Sequence, residues 1–83
     1  MIIAAAIMHK GILYQLPIPA RHHDIIHMIH TTVGKYVRSE SVQGFIDDKQ
    51  GFVNRILGGL IALDEGQIKE LYAPPELFSE DLW

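Results

Sequence analysis

The feature that most constrains this chain is its opening run, Ile2 to Met8 (IIAAAIM), which carries no polar residue. A membrane helix needs about 20 apolar residues, so this run does not qualify. It also lacks the polar interruptions of a surface helix. It reads as a buried strand, with three consecutive alanines leaving a helix open. His9-Lys10-Gly11 follows as a turn, the glycine supplying positive φ. Ile12 to Leu16 is rich in strand formers, and Pro17 and Pro19 close the unit. Together they predict a β-hairpin.

The rest of the chain repeats this outline more loosely. Ala20 to Val33 has helical periodicity, with His22, Ile25, Ile26, Ile29 and Val33 on one face, and Gly34 as its stop. Tyr36 to Arg38 is a short connection with room for a strand. Val42 to Asp47 and Phe52-Val53 flank the turn Asp48 to Gly51, a second hairpin. Asn54 is a natural N-cap for a helix from Arg55 to about Glu65. Gly58 and Gly59 inside it each cost about 1 kcal/mol against alanine, which suits close approach of another backbone or ring. Ile68 to Tyr72 is a candidate last strand. Beyond Pro74-Pro75, the segment 73–83 carries Leu77, Phe78, Leu82 and Trp83 among acids and is expected to dock on the body or on a neighbouring subunit. The order ββαββα makes the expected fold α+β: a small antiparallel sheet from two hairpins packed with two helices, as one oligomeric domain.

With 83 residues, such a domain buries only about 60% of its unfolded surface, so partner chains would help it. The absence of cysteine removes disulfides, thiol chemistry and zinc ribbons. There is no basic leader or clear cleavage site, and the default is a soluble intracellular protein. Net charge is −3, which offers no field for DNA. That charge is uneven: residues 1–63 are net +2 and residues 64–83 net −5.

Chemistry-bearing residues are few. His23, His27 and His30 have metal-compatible spacing on one helix flank, but no Glu follows in an H-E-x-x-H pattern, so they read as a plain helix flank or a polar patch at a subunit contact rather than as a metal site. His22, on the apolar face, is a core histidine or a pocket donor. Arg21 and Asn54-Arg55 each stand where a helix begins. Guanidinium beside free helix N–H groups makes an anion cradle, so the two starts could serve two phosphates of one ligand or two separate sites. The plain alternative for Arg21 is pairing with Asp24. Phe45 and Phe52 are expected as cross-strand neighbours, packed in the core or offering a face to a base. No nucleophile elbow, Walker loop or dinucleotide fingerprint is present, so an enzyme is not expected.

Several segments in order carry a resemblance: the Ala-Ala-Ile and Lys-Gly-Ile-Leu-Tyr hairpin, Arg21-His22-His23-Asp24-Ile25-Ile26, Gln43-Gly44-Phe45-Ile46-Asp47, Gly51-Phe52-Val53-Asn54-Arg55, Gly66-Gln67-Ile68, and Leu77-Phe78-Ser79-Glu80-Asp81-Leu82-Trp83. Together they resemble small bacteriophage proteins of the first Thoeris anti-defence family. The resemblance implies a non-enzymatic sponge acting in the cytoplasm of the infected bacterium. It would hold a cyclic ADP-ribose isomer made by a TIR-domain protein, or a cyclic di- or trinucleotide, without cleaving it. It also implies a homo-oligomer, dimer or hexamer, with no cofactor, no metal, no DNA and no membrane. Carried over, Arg21 and His22 would face the ligand, Phe45 would stack on adenine, Asn54 and Arg55 would bind ribose or phosphate, and Ser79, Glu80 and Asp81 would complete the pocket. One departure stands out: Ile56-Leu57-Gly58-Gly59 replaces an expected polar Glu-Ala pair. The alternative reading is a phage protein that inhibits a host protein through its acidic-aromatic tail.

Overall fold

The computed structural model describes all 83 residues. Four strands, β1 (Ile2–His9), β2 (Ile12–Pro17), β3 (Ser41–Asp47) and β4 (Gly51–Asn54), form one antiparallel sheet in the order β2-β1-β3-β4. Helices α1 (His22–Thr32) and α2 (Arg55–Asp64) follow the two hairpins, and a single turn, α3 (Ser79–Leu82), ends the chain. The fold is thus the expected small α+β arrangement.

Local chemistry accounts for most element boundaries. His9 pairs with Ile12 across a two-residue loop in which Lys10 and Gly11 both have positive φ, 50° and 79°. That is the hairpin turn whose twist matches the strands. α1 begins two residues later than its sequence pattern suggested, at His22, because the Asp24 carboxylate accepts the Arg21 backbone N–H at 2.8 Å. The Asn54 side chain caps α2, its Oδ1 accepting from the Leu57 N–H at 2.8 Å.

The two faces of the sheet differ. Ala5, Ile7, Phe45 and Val53 point to one side, where Ile25 and Ile29 of α1, Ala62 of α2 and Leu77 of the tail close over them. Ala4, Ala6 and Ile46 point to the other, with Phe52 against them. The register Phe45↔Val53 and Ile46↔Phe52 therefore sends Phe45 and Phe52 to opposite faces, so they are not the ring neighbours that their strands suggested. Gly44 lets β4 come this close: a Cβ there would lie 2.2 Å from the Val53 carbonyl oxygen and 2.8 Å from the Phe52 ring.

Two segments depart from expectation. The connection after α1 holds a 3-10 turn at Arg38–Glu40 rather than strand. Ile68 to Tyr72 forms no strand. It leaves α2 through Gly66 at positive φ, and the Gln67 side-chain amide, not the backbone, bridges to both polar groups of Ile2, at 2.9 and 2.8 Å. Ile68 and Leu71 then pack on the core. No helix is long and apolar enough to cross a membrane.

The tail lies across the helical side of its own body. Leu77 is buried, and its N–H donates to the Arg55 carbonyl at 3.0 Å. Gly58 and Gly59 make room for it: their hydrogens face the Phe45 ring and Leu77, and the Pro75 carbonyl and Leu71, respectively. The Trp83 indole donates to the Ala20 carbonyl at 3.0 Å.

Candidate functional site

The predicted residues fall into three groups. The first is structural. Phe45 is fully buried, with the His22 ring edge-on at 5.0 Å and Gly58 beneath it. It has no free face, so the stacking role suggested for it is corrected to core packing. His22 is also buried, and its Nε2–H donates to the Gly44 carbonyl at 2.8 Å. Burial pushes its pKa below the usual histidine value, Arg55 pushes the same way, and the Gly44 carbonyl and Glu80 oppose. His22 is therefore a satisfied core histidine beneath the site. Asn54 spends its side-chain oxygen on the helix cap.

The second group is held by the tail. The Arg21 guanidinium donates to the Trp83 backbone carbonyl. It does not line a cavity with Arg55, so the two helix starts do not form one cradle. Ser79 is buried, and its hydroxyl donates to Glu80 at 3.1 Å. The Asp81 carboxylate accepts from the Phe78 N–H at 2.9 Å and the Tyr72 N–H at 3.1 Å, fixing α3 and the preceding loop together. His23, His27 and His30 are exposed, and no three His, Asp or Glu side chains converge as a metal site would require.

Arg55 is the third group. It lines a cleft of about 390 Å³ with Tyr36, Arg38, Ser41, Gln43 and Phe78. This is within the usual size of small-molecule sites. Each wall has a structural reason. Ser41 and Gln43 alternate with Phe45 on the helical side of β3, where the sheet runs out from under the apolar core. Tyr36 and Ser41 share a hydroxyl hydrogen bond of 2.7 Å, and the Gln43 amide donates to the Tyr36 hydroxyl at 3.3 Å. His9, buried at the end of β1, accepts the Val37 N–H on Nε2 at 3.0 Å and stacks on Tyr36 at 5.3 Å. That contact sets the 3-10 turn carrying Arg38.

The electrostatics of the cleft are one-sided. It has two guanidinium groups and no carboxylate in its lining. Arg55 Nη2 donates to Gln43 Oε1, and the guanidinium lies 4.6 Å from the centroid of the Phe78 ring. Its Nε is buried with no hydrogen-bond partner. A buried, charged donor without an acceptor is costly; with Arg38 and Arg55 both in its lining, the cleft suits an anionic oxygen. On the far side of Phe78 lies a wider hollow of about 720 Å³, lined by Glu70, Tyr72, Ala73, Phe78, Glu80 and Asp81. Phe78 thus separates a basic, hydroxyl-lined cleft from an acidic hollow. Of the site residues singled out in the sequence, Arg55 lines the cleft and Glu80 and Asp81 line the hollow; Tyr36, Arg38, Ser41, Gln43 and Phe78 were not among them. The alternation Ser41, Gln43, Phe45 was the available signal, since it puts polar groups on the core face of a strand.

No curated protein and no solved structure matches the chain. A family model matches residues 1–83, its whole length, under the description Phage T4 y16D protein. The chain therefore belongs to this family of phage proteins.

Proposed function

We propose that this phage protein is a non-enzymatic sponge that binds a cyclic nucleotide signal of the infected cell in the cleft between β3 and the start of α2. The observation that carries the reading is the charge of the cleft: two guanidinium groups, Arg38 and Arg55, and no carboxylate in its lining. A phosphate there accepts from Arg55 and Arg38. Phe78 is the ring available for stacking, in place of Phe45. The carboxylates of Glu80 and Asp81 face the neighbouring hollow, where they suit the hydroxyls of a ribose or the amino group of a base. Such a bipolar ligand is what a cyclic ADP-ribose isomer presents, in line with the resemblance to the first Thoeris anti-defence family. Cyclic di- and trinucleotides share the phosphate chemistry.

Holding without cleaving also fits the lining. The one aliphatic hydroxyl in the cleft, Ser41, donates to the Arg38 carbonyl at 2.9 Å and contacts the Tyr36 hydroxyl; its cross-strand neighbour His9 already spends Nε2 on the Val37 N–H at 3.0 Å, and no carboxylate lines the cleft to serve as a base. The protein would act where the signal is made, in the host cytoplasm. Sequestration needs affinity and copy number only; a nM complex corresponds to about −12 kcal/mol.

The test is depletion. The protein is incubated with cyclic ADP-ribose isomers and cyclic di- and trinucleotides, filtered, heat-denatured, and the released material is analysed by mass. One of them is expected to disappear from solution and return intact in stoichiometric amount. Arg38→Ala and Arg55→Ala are each expected to weaken that binding by about 1.5–3 kcal/mol, the scale of a charged hydrogen bond. Degraded ligand would make the protein an enzyme. Depletion of none would overturn the reading and turn the search to a host protein partner.

A further inference from the structure

α2 is apolar on every side. Between Arg55 and Asp64 it contains only Ile, Leu, Gly and Ala. Gly58, Gly59 and Ala62 face the body of the protein. On the opposite side, Ile56, Leu60 and Leu63 stand at i, i+4 and i+7, with Leu57 beside them. Their exposures are 50%, 61%, 37% and 37%. A helix that is apolar all round is ordinarily buried all round. No part of this chain covers the outer stripe; the tail meets α2 on its glycine side.

The charges at the ends of α2 indicate what does cover it. A helix favours anions at its N-terminus and cations at its C-terminus. α2 has no acid in its first turn and no base in its last. Instead, Asp64 and Glu65 stand at its negative end. Glu65 is compensated by the Met1 ammonium, whereas Asp64 has no ion-pair partner. A second α2 running antiparallel would bring its positive N-terminus beside that carboxylate, and a two-fold axis makes the same match at both ends. We propose that the outer face of α2 is a two-fold contact between two copies of this chain, α2 packed antiparallel on α2, with Leu60 at the axis. One ten-residue helix buries less than the ~800 Å² per partner of a standard interface, so the dimer dissociates on dilution. This surface lies apart from the cleft lining and does not depend on the ligand reading.

The experiment uses the full chain in sedimentation equilibrium over a range of concentrations, together with single-cysteine variants. The chain has no cysteine of its own, so each introduced thiol reports one position. The wild type is expected to shift reversibly from monomer to dimer. Leu60→Cys is expected to form disulfide-linked dimers on mild oxidation, and Gln15→Cys, on the exposed strand β2, is not. Mixed Ile56→Cys and Leu63→Cys chains are expected to join each other rather than themselves. Leu60→Glu is expected to remain monomeric at concentrations where the wild type is dimeric, with unchanged far-ultraviolet circular dichroism; Leu60→Ser serves if the charge impairs folding. A wild type that stays monomeric throughout would overturn the proposal. So would a dimer that survives Leu60→Glu and fails to crosslink through Leu60→Cys, since its contact would then lie elsewhere, the open sheet face being next in line.

Discussion

Three titrating groups bracket the stability of the molecule at the residue scale. His22 is buried and its folded-state pKa lies below 6.5, so as pH falls past 6.5 the unfolded chain takes a proton that the folded chain refuses, and stability declines. Asp47 accepts from the Met1 ammonium and from the Lys49 and Gln50 N–H groups, which hold its pKa below 3.8; its contribution is present above that value and is lost as pH falls below it. The Met1 ammonium, bonded to Asp47, Asp48 and Glu65, is raised from 8.0 to about 11, so its contribution is complete below 8.0 and fades as pH rises towards 11. Thermal melts should therefore be flattest between 6.5 and 8.0. His22→Gln keeps an N–H for the Gly44 carbonyl and should remove the decline that begins just below 6.5. An unchanged acid slope in that variant would refute the assignment to His22. Gly44 is a second residue-scale case. Gly44→Ala should cost about 3 kcal/mol in chemical denaturation, because the Val53 carbonyl and Phe52 ring occupy the space a methyl would need.

The paired glycines of α2 give the sharpest expectation at the scale of elements. Helix propensity alone favours alanine at both by about 1 kcal/mol. At Gly58 the new methyl would meet the Phe45 ring and a terminal methyl of Leu77 at 3.3 and 3.4 Å, a modest squeeze that leaves Gly58→Ala near neutral. At Gly59 it would meet the Pro75 backbone carbonyl at 3.1 Å, which cannot turn aside. Gly59→Ala should therefore be the more destabilising of the two by denaturant midpoint, and the reverse order would mean that the tail yields. The sequence foretold this use of glycine, and much else that is local: the apolar first strand, the Lys10-Gly11 turn, the apolar face of α1 as far as Ile29 and the Asn54 cap depend on neighbours a few residues away, whereas Val33, expected on that face, is an exposed C-cap. What it hid depends on partners far along the chain. The 3-10 turn at Arg38 is set by His9, 28 residues before Val37, and Gln67 replaces a strand by bonding Ile2, 65 residues away. Phe45 and Phe52 were misjudged because the two-fold period of a strand decides faces only once register is known. Arg55 was legible as a helix-start cation, but its cleft was not, because Tyr36 and Phe78 reach it from distant positions on either side along the chain.

For the molecule as a whole, the tail is as much part of the core as either helix. Only 19 of the 83 residues are buried, so each one matters, and Leu77 is among the fully enclosed ones. Leu77→Ala should cost about 3 kcal/mol and lower the melting temperature by several degrees. It should also weaken ligand depletion, because Phe78 follows directly and forms a wall of the cleft. Normal depletion by a destabilised Leu77→Ala protein would separate the tail from the site. The same anchoring has an optical consequence. Trp83 is the single tryptophan, half-sheltered against the body with its indole on the Ala20 carbonyl. The intrinsic fluorescence of the protein is therefore dominated by the tail: its release would shift emission to the red and make it accessible to quenchers. An unlabelled sample thus reports in real time whether the segment that walls the cleft is closed or loose.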